Sequence, residues 1–431
     1  MNSECVVKRL NALKTLLKEK NVDYYLIPTG DYHSSEYVSD YFKVREYFSG
    51  FTGSNGTLLV GHKEICLWTD GRYFIQAEKE LEGTGIFLQK MGEKGVPTIA
   101  EYLKKHMNDG ETIGFDGKIV TAAFGEKLEQ ALIEKYAKFF YEEDLADALW
   151  IDRPDFIQRE VLLPEDNLFG KETKDKLKEV REKLKEESAT AFILSKLDDI
   201  MWLFNIRGKD VECNPVAFSF AILTEKEAYL FIGDEPILAS LQEKAKREQF
   251  RVKPYCEFLT SIKSMDLGKK VWIDENTTSY AVYKCFPKEN LFLSKNPTEL
   301  LKAIKNETEL SHIRKYYLLD SVAVTKFIYQ MKKEREKVAT GKVMTEYDAM
   351  QLMDSLREEI EGYLDKSFTT ISAYGENAAM MHYEATKENC AVLKNEGMLL
   401  VDSGGQYLGA TTDVTRTIAM GRATKEMKVH F

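Results

Sequence analysis

The segment Met398-Leu399-Leu400-Val401-Asp402-Ser403-Gly404-Gly405-Gln406-Tyr407-Leu408-Gly409-Ala410-Thr411-Thr412-Asp413-Val414-Thr415-Arg416-Thr417 reads as two strands joined by a tight connection. Apolar runs flank a centre of Gly, Thr and Asp, which is the pattern of a hairpin. With a four-residue loop at Gln406 to Gly409, positions whose numbers sum to 815 face each other, and Asp402 lies directly opposite Asp413. Directly opposed residues on one face have Cβ atoms about 4.5–5.5 Å apart, where like charges repel. A buried carboxylate pair therefore calls for a cation or a shared proton. Hard oxygen donors suit Mn or Mg, and two ions about 3.5–4 Å apart can share a bridging carboxylate. Asp402 and Asp413 are candidate metal ligands on this reading. On the competing one, Asp402-Ser403-Gly404-Gly405 is a plain turn and Asp413 a solvent-facing strand residue. His382, in Met380-Met381-His382-Tyr383-Glu384, is a candidate third party, because an imidazole can hydrogen-bond a polarised carbonyl. Its alternative is a structural histidine.

Upstream of the hairpin, Leu310, Ile313, Tyr317, Val324, Phe327 and Met331 predict a long helix beginning at Asn306. A second helix is predicted over Thr345 to Tyr363, with Met350, Met353, Leu356 and Ile360 on one stripe as core filler. Strand-like runs follow at Phe368 to Ser372, Cys390 to Leu393, Met398 to Val401 and Val414 to Ile418, and Gly421 onward resembles the start of another helix.

The region before residue 300 contains a repeat. A helix over Val6 to Lys20 with Leu10, Leu13 and Leu17 feeds the strand Tyr24-Tyr25-Leu26-Ile27. At an offset of 167 residues, Leu177, Val180 and Leu184 precede Phe192-Ile193-Leu194, and Asp31 maps onto Asp198. So long a period means duplicated domains, not a solenoid, whose repeats span about 20–50 residues. Each copy continues with short strands and a helix: Gly56 to Val60, Ile65 to Trp68 and Arg72 to Glu82 in the first, Ala217 to Leu223, Ala228 to Ile232 and Pro236 to Glu248 in the second. The fold class is α/β (α+β), with domains predicted over 1–160, 161–300 and 301–431, each with a core of its own.

The 431 residues carry 60 Lys and Arg against 70 Asp and Glu, a net charge of −10, which excludes a nucleic-acid partner needing clustered cations. No run reaches the roughly 20 apolar residues of a membrane span, so a soluble protein without a membrane partner is expected. The first residues read as lacking an export signal, and with six scattered cysteines and no CxxC pair a reducing, cytoplasmic setting is expected. The Gly-rich stretch Gly50-Phe51-Thr52-Gly53-Ser54-Asn55-Gly56 has the wrong spacing for a phosphate loop and reads as a turn, and no GxSxG, HExxH or EF-hand pattern is found. His33, His62, His106 and His312 lack partners at ligand spacing and are read as structural.

The stretch from Asp402 to Thr417 resembles the DSGxQY…TTDxTRT motif of aminopeptidase P, a pita-bread metallopeptidase family. The segments Asp31 to Tyr37, Ser49 to Ser54 and Trp68 to Phe74 resemble the first creatinase-like domain of its long, three-domain form. Asp198 to Gly208 with Asn214-Pro215-Val216 resembles the second. The resemblance implies two creatinase-N-like α/β domains and a pita-bread catalytic domain that removes the N-terminal residue from peptides with proline second. It implies two divalent ions, Mn foremost and Zn in some members, with Asp402 on one metal, Asp413 bridging both and His382 beside the scissile carbonyl. It also implies a homodimer. The family's remaining ligands, one His and two Glu, lie on strands well beyond this motif, and Glu426 and His430 fall too close to Asp413 to match them. The chain is thus expected to be an N-terminal portion, inactive by itself, with a partial third domain. The rival readings are a non-catalytic pita-bread peptide-binding module and a Xaa-Pro dipeptidase, which normally has one N-terminal domain.

Overall fold

A computed structural model describes residues 3–430. The chain forms two compact units, one built from residues up to Ile304 and the other from Lys305 onward together with the short segments Glu165–Gly170 and Cys213–Pro215.

Both copies of the repeat lie in the first unit. Strands β1 (Tyr24–Pro28), β2 (Thr57–Gly61), β3 (Ile65–Thr69), β4 (Phe87–Lys90), β5 (Thr112–Phe115) and β6 (Lys138–Phe140) make one six-stranded sheet in the order β4-β3-β2-β1-β5-β6. Strands β7 (Ala191–Leu194), β8 (Ser219–Thr224), β9 (Ala228–Ile232), β10 (Arg251–Lys253), β11 (Val271–Ile273) and β12 (Leu291–Leu293) repeat that plan as β10-β9-β8-β7-β11-β12. In each sheet the first three strands pair antiparallel and the remaining pairings are parallel. The 167-residue offset carries the first residue of β1 onto the first of β7.

Strand side chains alternate between faces, and the core follows that period of two. Tyr25, Ile27, Leu58 and Val60 pack under the helix Ser3–Glu19, through its stripe Val6, Leu10, Leu13 and Leu17. Leu26 and Leu59 point the other way, into a cluster that also holds Ile193, Ile222, Phe231 and Ile273 of the second copy. The expectation of a separate core for each copy is thus corrected: the first copy covers its outer face with its own residues, the second takes Phe42 of the first into its outer cluster, and one cluster is shared between the inner faces. Its seam is pseudo-symmetric, with Thr121 and Ser279, each the N-cap of a helix, forming an antiparallel bridge to one another. His33 is buried at the same seam, between the Ser195 carbonyl and the Tyr255 hydroxyl, each 2.9 Å from a ring nitrogen, and burial lowers its pKa. It is a satisfied structural histidine.

In the second unit the helix Glu307–Val338 begins on the capping box Asn306/Glu309, and the helix Glu346–Glu358 on the box Thr345/Asp348. The latter stops short of the expected Tyr363. The chain leaves it at Glu359, and Gly362, at φ +87°, turns it into β13 (Tyr363–Lys366). Strand β14 (Ile371–Tyr374) starts later than expected, because 367–370 crosses from one sheet to the other and Thr370 is held there by the Asp354 carboxylate. The predicted strand Cys390 to Leu393 is absent, and only Val392 makes an isolated bridge, to Thr345. Strands β15 (Met398–Ser403), β16 (Gly405–Tyr407), β17 (Ala410–Thr411) and β18 (Val414–Ala419) complete two three-stranded sheets, β13-β16-β17 and β14-β15-β18. Leu399, Val401 and Ile418 pack against Phe327, Met331, Met353 and Leu356 of the two helices. Among the described residues no helix is long and apolar enough to cross a membrane.

Candidate metal centre

The hairpin forms, in a different register. Across β15/β18 and β16/β17 partner numbers sum to 817, not 815: Asp402 faces Thr415, and Tyr407 faces Ala410. The connection is the two-residue loop Leu408-Gly409 instead of four residues. Tyr407 explains the longer pairing. Its ring stacks on Tyr316 at 5.0 Å and its hydroxyl donates to Asp320 at 2.7 Å, which draws it into the interior as a strand residue. A slip of two residues preserves the face of every side chain, whereas a slip of one would invert it. Asp402 and Asp413 therefore remain on one face, as diagonal and not opposed neighbours.

The strand pair bends between the two sheets at Gly404. A Cβ there would sit 1.9 Å from the Thr412 carbonyl oxygen and 2.2 Å from Ser367 Oγ, so only glycine fits. Ser367 Oγ donates to that carbonyl at 2.8 Å, and the Gly405 N–H donates to Thr412 Oγ1 at 3.0 Å. The bend fixes where Asp402 and Asp413 leave the backbone.

The two carboxylates interact. Partial desolvation raises the pKa of Asp413, and the Asp402 charge and a hydrogen bond between the two side chains raise it further. Asp402 Oδ1 is buried without a hydrogen-bond partner. An orphaned buried carboxylate oxygen beside a second carboxylate fits the oxygen-donor chemistry that a hard cation satisfies. Among the described residues no group of three or more His, Cys, Asp or Glu could hold a metal ion, so His382 does not join the pair. His382 is exposed, in the segment between β14 and β15. Its neighbour Tyr383 is buried with Ile371 and Ala373, and Ile371 pairs with Asp402, so that segment packs on the Asp402 side of the sheet.

Sequence reasoning missed a buried ion pair behind the hairpin. Arg357 and Asp320 are each 1% exposed. Arg357 Nε donates to Asp320 Oδ1 at 2.7 Å and Nη2 to Oδ2 at 3.3 Å, while Nη2 also reaches the Ser403 carbonyl at 3.3 Å. The pair thereby ties both helices to the residue after Asp402, and the Arg357 charge opposes the rise in the Asp413 pKa. The one available signal was Asp320 standing among the apolar positions of its helix.

Residues 9–147 and 152–309 each match the creatinase/prolidase N-terminal domain, and 311–431 match metallopeptidase family M24. Xaa-Pro aminopeptidase 1 of Dictyostelium discoideum is 34% identical over 438 residues, an alignment covering 99% of this chain and 69% of the relative. A probable Xaa-Pro aminopeptidase P of Paracoccidioides brasiliensis (strain Pb03) is 33% identical, with 98% of this chain and 71% of the relative covered. An X-prolyl aminopeptidase of Caenorhabditis elegans, described as a cytosolic enzyme with a di-nuclear active site, matches at TM-score 0.93 and 32% identity over 100% of this chain and 72% of its own.

Proposed function

Since this chain belongs to the Xaa-Pro aminopeptidase P family of M24 metallopeptidases, with two creatinase-type α/β domains before part of a pita-bread catalytic domain, we propose that the intact protein releases the N-terminal residue from peptides with proline second. The observation that carries the site assignment is the Asp402/Asp413 pair with its orphaned Asp402 oxygen. In this reading Asp402 and Asp413 would both hold divalent metal, with Mn the expected ion. When bound, such ions supply a water of lowered pKa and Lewis acidity toward a carbonyl. The chain's own residues then have defined tasks. Asp402 and Asp413 set the position of the charge, Arg357 balances part of theirs, and His382 hydrogen-bonds the carbonyl oxygen of the Xaa-Pro bond as negative charge develops on it. Proline offers no N–H and a fixed torsion, so specificity must come from shape.

The 431-residue chain itself is read as inactive, since two carboxylates leave most coordination positions to water and no third ligand joins them among the described residues. The domain division 1–160, 161–300 and 301–431, a cytoplasmic setting and a homodimer belong to the same proposal. The C. elegans relative, described as cytosolic, supports the setting. The test is release of the first residue from a Xaa-Pro-Pro peptide by the intact protein, with and without Mn, against Asp413→Asn. Metal-dependent release that the variant loses supports the reading. A folded protein that releases nothing overturns it in favour of a non-catalytic peptide-binding module.

A further inference from the structure

Glu346 is the first residue of the helix Glu346–Glu358 and is 0% exposed. Its helix does not need it there, because the Thr345/Asp348 box already satisfies the N-terminus. Burying a carboxylate is costly unless donors converge on it. They do: the Tyr374 N–H at 2.5 Å and Asn377 Nδ2 at 3.1 Å reach Oε1, and Tyr383 Oη at 2.7 Å, the Ala391 N–H at 2.6 Å and Asn377 Nδ2 again at 3.1 Å reach Oε2. The Glu346 N–H returns a bond to the Ala391 carbonyl at 3.0 Å.

These donors share one origin. Tyr374 ends β14, Asn377 lies in the 3₁₀ turn Gly375–Ala379, Tyr383 follows His382 directly, and Ala391 closes the segment. One carboxylate thus gathers both ends and the middle of the loop carrying His382, which has no regular secondary structure after Ala379 to hold its shape. Charge-assisted hydrogen bonds are roughly twice as strong as neutral ones, and a misplacement of about 1 Å can cost about 100-fold in rate. We propose that Glu346 is a positioning residue for His382, fixing the loop that presents the imidazole to the scissile carbonyl. This rests on the reading of His382 given above.

The test uses Glu346→Gln in the intact protein, since Gln matches Glu in size but leaves one oxygen to accept where there were two. With a Xaa-Pro-Pro peptide and Mn, kcat falls about 10-fold or more while KM stays within about two-fold and Mn affinity by calorimetry is unchanged, because only positioning is lost. Amide hydrogen exchange quickens across 375–391. In a His382→Ala background the same change costs nothing further, as expected for two residues acting as one unit. Tyr383→Phe, which removes a single hydroxyl and spares the fold, gives the same pattern at smaller size. Full turnover by His382→Ala would remove the reading of His382 and this proposal together. Loss of turnover in His382→Ala with none in Glu346→Gln and Tyr383→Phe, or losses that simply multiply in the double variant, would overturn the positioning role alone.

Discussion

Arg357→Met removes the cation from the buried pair behind the hairpin. Asp320 keeps one donor, Tyr407 Oη at 2.7 Å, and loses two bonds from the guanidinium, while the Ser403 carbonyl loses a third. Removing one member of a buried pair costs about 3–5 kcal/mol, because the remaining charge stays desolvated. With a urea m-value of about 2 kcal/mol per molar, the midpoint falls by about 2 M. The assay can be localised. Trp68, Trp150, Trp202 and Trp272 are the chain's four tryptophans, and all lie in the first unit. Tryptophan emission therefore reports that unit, and far-ultraviolet circular dichroism reports both. The expected result is a dichroism transition shifted to lower urea with the emission midpoint nearly unmoved. Adding Asp320→Asn, which removes the unpaired charge but keeps an acceptor for Tyr407, recovers at least half of the loss. A single variant within about 1 kcal/mol of the parent, or a double variant as unstable as the single, would refute the argument.

Asp116→Asn tests a titration. Burial, and then the nearby Asp144 charge, push the Asp116 carboxyl from its ordinary 3.8 up to about 7. The folded chain keeps a proton that the unfolded chain gives up, so this residue's contribution to stability is present at low pH and declines as pH rises from about 4 to about 7, by on the order of 4 kcal/mol. The Asn variant loses that slope, and stability-versus-pH curves that run parallel for the two proteins would contradict it. Gly404→Ala forces a Cβ against Thr412 and Ser367 and breaks their hydrogen bonds, at about 2–3 kcal/mol. Dichroism melts should show that loss, and an unchanged melt would show that the bend relaxes freely. Gly125→Ala places a Cβ 2.2 Å from the buried Tyr280 ring across the seam of the two copies, at about 1–3 kcal/mol of overpacking. Here the tryptophan midpoint should fall, the reverse of the Arg357 pattern.

What could be read from the sequence was what repeats locally. The stripe Leu10, Leu13, Leu17 and its echo Leu177, Val180, Leu184 located both helix-to-strand passages, because burial enforces their period. The shared face of Asp402 and Asp413 survived an error of two in register, since parity alone sets the face. The register itself was set by Tyr407 reaching Asp320, 87 positions away, a partner that no local pattern reveals. The strand expected at Cys390 to Leu393 failed for a similar reason: its apolar run is used to anchor Ala391 and Val392 beside Thr345 and Glu346. The correspondence of Asp116-Gly117-Lys118-Ile119-Val120-Thr121 to Asp274-Glu275-Asn276-Thr277-Thr278-Ser279 at an offset of 158, whose last members Thr121 and Ser279 bridge one another, was open to inspection, but the two stretches share no hydrophobic period to find it by.

The seam at Thr121 and Ser279 also sets a timetable for synthesis. Translation adds about 5–20 residues per second, so the 158 residues between these partners take on the order of 8–30 s to make. Throughout that interval the inner face of the first sheet, with Leu26, Leu59, Ile113 and Phe115, has none of its eventual neighbours from the second copy's last strands. A nascent chain exposing such a face for tens of seconds is a natural client for a holding chaperone. Slowing elongation downstream of residue 160 would lengthen the exposure and lower the soluble yield, whereas the same delay placed well beyond residue 304, once the second copy's last strands have left the ribosome, would not.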